Sequence, residues 1–551
     1  MTAQLALRHW SGMRLTWIDG TAVVHPGSEP NPNAMAIAES ATGSIEPSVV
    51  VTSHTVRLLP HMMEELADVL AMRLPRDCPT VRLVAWDGAC SINDRPAPAY
   101  LLAARLGKQV IAPAGPLLRV PSGSLFAPAG RGSQRRGGWW RFRPGSVPTR
   151  VGWRFPAPLW ELDLNEIARP PQNLVIDQVP AGIWLHRPGN ASVTDLVFSV
   201  PVDPANPALI LSHPAEEPLT RADLDRALDT LAPRAIDRLV FTPYGQSPFI
   251  DGRLGELASD AVGRPVRVRT GLPLCASAGQ QAVVTIDAGG LPRWRPFARE
   301  VEYTPRVPVP GPLDWGNPAP TTLTPVGAAT FGLGSGWVAE VIEAGLWLRP
   351  IEATEPADQV RTLPLAPDRC AIVIGAANLL PAPPPSAAIA TLLRQLPADA
   401  RARAYLATPQ GAGGEVFQLA SALAEELPAA GEVRILDQIE PLPRERFEVP
   451  APLLHEVPAW ADLREPAQPV AAAEPVPPIA PPPIAPPPMA PPAHRRPAPP
   501  EMLRPLDVEA RPDLFSRPEP VARPEPVVRE PVVREPVARP EPVARPEPVA
   551  R

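Results

Sequence analysis

His54 closes the apolar run Val49–Ser53, and Cys90 lies just beyond the next run, Val81–Ala85, after the turn Trp86-Asp87-Gly88-Ala89. A histidine and a thiol at the same end of neighbouring parallel strands are the minimal apparatus of nucleophilic catalysis, because the imidazole can take the thiol proton or polarise the carbonyl under attack. Such a dyad needs hydrogen-bond reach, and a position four residues past the strand, beyond a glycine turn, works against it. A second chemistry is written in Arg131–Phe155, where Arg135, Arg136, Arg141 and Arg143 interleave with Trp139 and Trp140. Guanidinium groups pair with phosphates and indole rings stack on bases, so these residue types suit nucleic acid. The stretch Arg293–Arg299 falls at the corresponding place later in the chain and is far less basic. The aromatics therefore read first as the apolar face of strands, and nucleic acid is disfavoured as a partner. The glycine run Gly332–Gly336 leads into a strand-like segment rather than a helix, so it lacks the amides that hold a phosphate. His9, His25, His61, His186, His455 and His494 show no metal-ligand spacing, and neither metal nor cofactor is expected.

The elements that must position these groups recur. A hairpin pattern appears at Met13–His25, Leu174–His186 and Trp337–Leu348, a period of roughly 160 residues that makes each copy domain-sized. After each hairpin come strand, helix, strand, helix and strand. In the first copy these are Val49–Ser53, His61–Arg73, Val81–Ala85, Pro98–Leu106 and Gln109–Ala112. The second reads Ala208–Leu211, Arg221–Leu231, Arg238–Phe241, Leu254–Val262 and Val266–Arg269, with Thr220 as N-cap and Gly263 as the stop. The third reads Ala371–Ile374, Ser386–Leu396, Arg403–Ala407, Glu415–Leu427 and Glu432–Leu436. Short apolar strands alternating with helices mark parallel β-α-β units. The fold class is thus α/β: three repeated modules of a β-hairpin plus a βαβαβ parallel-sheet sandwich, followed by a disordered Pro-rich tail. Module boundaries fall at 13–172, 173–335 and 336–441, with the tail over 442–551. The first two modules also share a β appendage, Gly115–Leu118 answering Gly271–Leu274 and Gly137–Pro144 answering Gly289–Pro296, which the shortened third lacks.

The strand ending in Ser53-His54, beside a second strand reading apolar-apolar-Ala and a Gly-containing turn, resembles the caspase-like domains of large actinobacterial multidomain and toxin-type proteins. That resemblance implies a Rossmann-like sandwich and a His/Cys peptidase site. Here Thr55 follows His54 where the family has Gly, and the family's Cys falls on Trp86. The second module has Ser212-His213 in register but Thr242-Pro243 opposite; the third has Gly375-Ala376 and Thr408. The copies therefore read as catalytically eroded. The expected function is a non-catalytic scaffold or protein-interaction region, with a His54/Cys90 cysteine hydrolase and nucleic-acid association through 131–154 as alternatives.

Composition narrows the remaining classes. A formal charge of −6 over 551 residues argues against a polyanion-binding chain overall. Four scattered cysteines without a C-x-x-C pair give no zinc ribbon or disulfide framework. Without an apolar leader or a long apolar stretch, the expected compartment is the cytoplasm, with no membrane partner and non-classical export left open. The chain holds 84 prolines, crowded into Pro466–Pro500 and the Arg-Pro-Glu-Pro-Val-Ala copies of Arg517–Arg551. Such a segment favours polyproline helix and buries little, so it reads as a semi-rigid spacer or a ligand for a polyproline-binding partner. The identity of the protein partner is not encoded.

Overall fold

The computed structural model describes residues 4–436 apart from isolated positions and the segments 28–37, 39–46, 52–57, 92–94, 130–136, 168–172, 276–279, 354–356, 377–382 and 428–432. The chain divides between Leu454 and His455, and every element below lies in the first part. Its architecture is mixed α/β.

Three large sheets carry it. The first runs Gln4–Ala6, Met13–Ile18, Thr21–Pro26, Ser48–Val51, Thr80–Val84, Gln109–Pro113, Trp139–Phe142, Thr149–Gly152. The second runs Val175–Val179, Gly182–His186, Ala208–Leu211, Val240–Pro243, Val266–Arg269, Ala298–Tyr303, Gly311–Trp315. The third runs Thr324–Gly327, Thr330–Gly334, Trp337–Ile342, Gly345–Pro350, Cys370–Ile374, Ala404–Thr408, Arg434–Ile435. In each, an antiparallel hairpin hands its second strand to three parallel strands in chain order. Ala208–Leu211 and Cys370–Ile374 are buried along their whole length, as parallel strands covered on both faces must be.

Helix limits follow local chemistry. Pro60 and Pro98 each stand at the first position of their helices, where a missing N–H costs nothing. Thr220 accepts from the Asp223 amide while Asp223 accepts from the Thr220 amide, a reciprocal cap that starts Arg221–Leu228. Gly107 (φ 65°) and Gly263 (φ 74°) end their helices in the left-handed conformation. The helix expected over Arg221–Leu231 stops at Leu228, and a short helix, Pro233–Ile236, follows.

Two expectations about the strands change. Thr324–Gly327 and Thr330–Gly334, placed at the end of the second module, pair with the third hairpin instead. Part of the glycine run is therefore strand, and the turn is Gly334-Ser335-Gly336, all with positive φ. The antiparallel strand answering Trp139–Phe142 is Ala298–Tyr303, not the Gly289–Pro296 segment. Pro292 and Pro296 have no N–H to give a ladder. The smaller hairpins do correspond: Leu118–Arg119 pairs with Leu125–Phe126, and Leu272–Cys275 pairs with Gln281–Val284.

The second and third sheets share one continuous core reaching from Trp160 to Leu427, whereas residues of the first form their own cluster around Leu66, Leu83 and Leu102. Arg154 joins the first two regions. Its guanidinium is fully buried, pairs with Glu161 at 2.9 Å, and donates to the carbonyls of Pro180 (2.7 Å), Val179 (2.6 Å) and Gly182 (2.6 Å).

Candidate functional site

In a parallel sheet the chemistry-bearing side chains gather outside the carboxyl ends of the strands. In the first sheet His54 lies outside the described residues, so the proposed pair cannot be traced as a unit. Cys90 is half-buried in a pinned turn. Its amide bonds to the Asp87 carbonyl at 2.9 Å, and Ala89 donates to Pro113 across the sheet end. The thiol points its hydrogen at Asp87 Oδ1, 3.6 Å away.

The second sheet brings His213 to the matching strand end. Ser212 turns the chain there with φ 70°, and His213 is buried. Its Nδ1 accepts the Ala215 amide at 3.1 Å, so the proton sits on Nε2, which faces Asp195 Oδ1 at 3.5 Å. The ring stands edge-on to Tyr244 (centroids 5.7 Å apart) and lies 5.8 Å from Trp184. Burial, with the Asp195 charge adding to it, pushes the Tyr244 phenol up, so it stays protonated; the Leu196 backbone opposes this. On the neighbouring strand Thr242 is fully buried, and its hydroxyl donates to its own strand's Val240 carbonyl at 3.2 Å. The histidine is therefore held through Nδ1, with Asp195 close to Nε2, beside a hydroxyl that is itself engaged. In the third sheet Gly375 takes the place of Ser212 with φ 90°.

A different set of polar residues does recur, and motif reasoning passed over it. In each leading hairpin a basic side chain near the end of the second strand reaches a polar one on the first, nine positions earlier. His25 Nε2 meets Thr16 Oγ1 at 2.8 Å, His186 Nε2 meets Asp177 Oδ2 at 3.1 Å, and Arg349 Nε donates to Glu340 Oε2 at 2.8 Å. The other side of each basic group meets the carbonyl of the next residue: Pro26 (2.8 Å), Arg187 (2.6 Å) and Pro350 (3.1 Å). The signal in sequence was a polar residue nine positions ahead of a basic one inside a hairpin. Burial works against a charge on His186, but the bond to Asp177, helped by the Arg187 carbonyl and Glu216, outweighs it and raises the imidazole above its ordinary value. Glu340 is buried too, yet hydrogen bonds from Arg361 and Arg349 hold it below the usual carboxylate range.

The basic and aromatic segment does not form one stacking face. Arg135 and Arg136 lie outside the described residues. Trp139 is 1 % exposed and packs against Phe155, with ring centroids 5.7 Å apart. Trp140 is half-buried against the other face's core and donates to the Gly137 carbonyl at 2.9 Å. Arg141 is half-buried and Arg143 is exposed. Side chains alternate along a strand, so the two tryptophans serve opposite faces of the sheet.

No protein-family profile and no curated protein matches this chain. Among the described residues no helix is long and apolar enough to cross a membrane, and no group of three or more His, Cys, Asp or Glu side chains is placed to hold a metal ion.

Proposed function

We propose that this chain is a non-catalytic scaffold built from three related α/β modules of caspase-like descent, carrying a polyproline spacer tail that meets a protein partner. One observation carries the reading: at the strand end where a peptidase would keep a free imidazole, Nδ1 of His213 is taken by the Ala215 amide with Asp195 3.5 Å from Nε2, and the adjacent hydroxyl of Thr242 is turned into its own strand. The shared strand order of the three sheets and the hairpin clamps nine residues apart support common descent of the modules. The thiol of Cys90 facing Asp87 supports the absence of a live cysteine nucleophile.

The test is alkylation of the native full-length chain with iodoacetamide at neutral pH, followed by mass spectrometry at Cys78, Cys90, Cys275 and Cys370. Cys78 and Cys370 are buried, and Cys90 and Cys275 are half-buried. The scaffold reading expects Cys90 to react no faster than Cys275. A rate about tenfold or more above Cys275 would mean an activated thiolate, and the hydrolase reading would replace this one.

A further inference from the structure

We propose that the far edge of the first sheet takes up an acidic, extended polypeptide from a partner protein, a surface separate from the tail-borne contact proposed above and independent of it. Between Asp94 and Glu161 the chain carries eleven Arg and Lys residues and no Asp or Glu, although its formal charge overall is −6. This run supplies the last three strands of the sheet, Gln109–Pro113, Trp139–Phe142 and Thr149–Gly152. The matching run of the second module, residues 251–316, holds eight basic and seven acidic residues.

The fold turns that difference into a surface. In the last three strands of the second sheet the arginines stand beside acids: Arg267 pairs with Glu300 at 2.5 Å and Arg299 with Asp314 at 2.7 Å. In the basic run of the first, Arg105 pairs with Asp68 and Arg154 with Glu161. Arg141, Arg143 and Arg150 have no carboxylate within ion-pair distance among the described residues. Arg143 and Arg150 are exposed, and Arg150 donates only to the neutral Asn165 carbonyl, at 2.9 Å. Like charges left together repel one another and attract a chain of opposite sign. Charge on an edge strand also discourages stray pairing, but that service is indifferent to sign, and the Arg299–Asp314 pair performs it in the second sheet.

The edge itself selects a polypeptide. Among the described residues no strand bonds the outer side of Thr149–Gly152, and Thr149 and Arg150 are exposed. An added strand can pair with such a main chain. Arg141 stands opposite Thr149 in the ladder and shares that residue's face, while Arg150 takes the other. Successive side chains of an added strand alternate in the same way, so an acidic run finds a guanidinium on either face. Bases would find no stacking partner: Trp139 and Trp153 are buried, and Trp140 is half-buried with its N–H given to the Gly137 carbonyl.

The test is titration of fluorescein-labelled octaglutamate with the full-length chain, read by anisotropy at low and at physiological ionic strength. Saturable binding that weakens with salt is expected. Apparent affinity should fall about tenfold in Arg143→Gln/Arg150→Gln, whose exposed positions leave the fold intact. Arg264→Gln/Arg299→Gln removes equal charge from the second module and should change affinity by less than about twofold. A Glu-Glu-Pro repeat of the same charge lacks N–H groups on both of its edges and should bind about tenfold more weakly. Equal affinity for the two peptides would mean charge without strand pairing, and equal losses in the two double variants would mean net charge alone. An oligothymidylate of the same charge binding more tightly than octaglutamate would make nucleic acid the ligand. Any of these, or an octaglutamate titration that never saturates, overturns the proposal.

Discussion

The second and third leading hairpins are built alike in nearly every contact except the charge that closes them. Trp184 donates to the Ser212 carbonyl at 2.7 Å, and Trp347 donates to the Gly375 carbonyl at 2.8 Å. A methyl at Gly182 would come within 2.2 Å of the Ala208 carbonyl oxygen, and one at Gly345 within 2.1 Å of that of Ala371. Yet one hairpin closes with Asp177 and His186, the other with Glu340, Arg349 and Arg361. The first hairpin closes with Thr16 and His25 and has Val23 in the tryptophan's place. Each hairpin has a side-chain bridge at this point, and the chemistry that supplies it differs among the three. A histidine near a strand end is thus explained by the hairpin it closes before any catalysis is invoked.

The likeness is broken most directly at the glycines. Gly182→Ala and Gly345→Ala should each cost about 3 kcal/mol, because the new carbon presses on backbone that cannot withdraw. Unequal losses in chemical denaturation would mean that the two hairpins are not equivalent. The difference is sharpened by the acids. Glu340→Gln leaves two partly buried guanidinium groups without their carboxylate and should cost about 3 kcal/mol. Asp177, whose side chain is 47 % exposed, should cost under about 1 kcal/mol as Asp177→Asn. Trp184→Phe and Trp347→Phe each remove one buried donor from a carbonyl and should lose about 1–3 kcal/mol, equally in the two hairpins.

The smallest effect is the most specific. His186 is raised, so its stabilisation is complete below the ordinary imidazole value and is lost as pH rises through the folded-state value. Glu340 is lowered, so its contribution holds above the ordinary carboxylate value and is lost as pH falls through the depressed one. Hydrogen exchange should show the second hairpin loosening as pH rises above the ordinary imidazole value and the third only as pH falls below the ordinary carboxylate value. His186→Arg should abolish the loosening of the second hairpin; its persistence would place the effect elsewhere.

Much of this framework was legible in the sequence because it is local. Pro98, Gly107, Thr220 and Gly263 mark helix ends by backbone rules alone, and Leu254–Val262 and Val266–Arg269 fall on their expected residues. What escaped depends on pairing across the chain. The ownership of Thr324–Gly334 is decided by its partner strand, since a period-two pattern fits either sheet. The site was less legible still. Ser212-His213 was seen as a motif fragment, but the Ala215 amide and Asp195 that hold the ring come from turns with no signature. Arg154 lies in the basic stretch Arg131–Phe155, and only the folded chain shows it sealed inside.

That seal has a consequence for how the chain emerges from the ribosome. Arg154 and Glu161 appear first, while the carbonyls of Val179, Pro180 and Gly182 come as much as 28 residues later. A nascent chain stopped at residue 172 would contain its charged pair before any of these acceptors had been synthesised. The first region cannot finish closing until the turn of the next has been synthesised. Residue 172 is therefore the wrong place to divide the gene: a fragment for expression should run past His186.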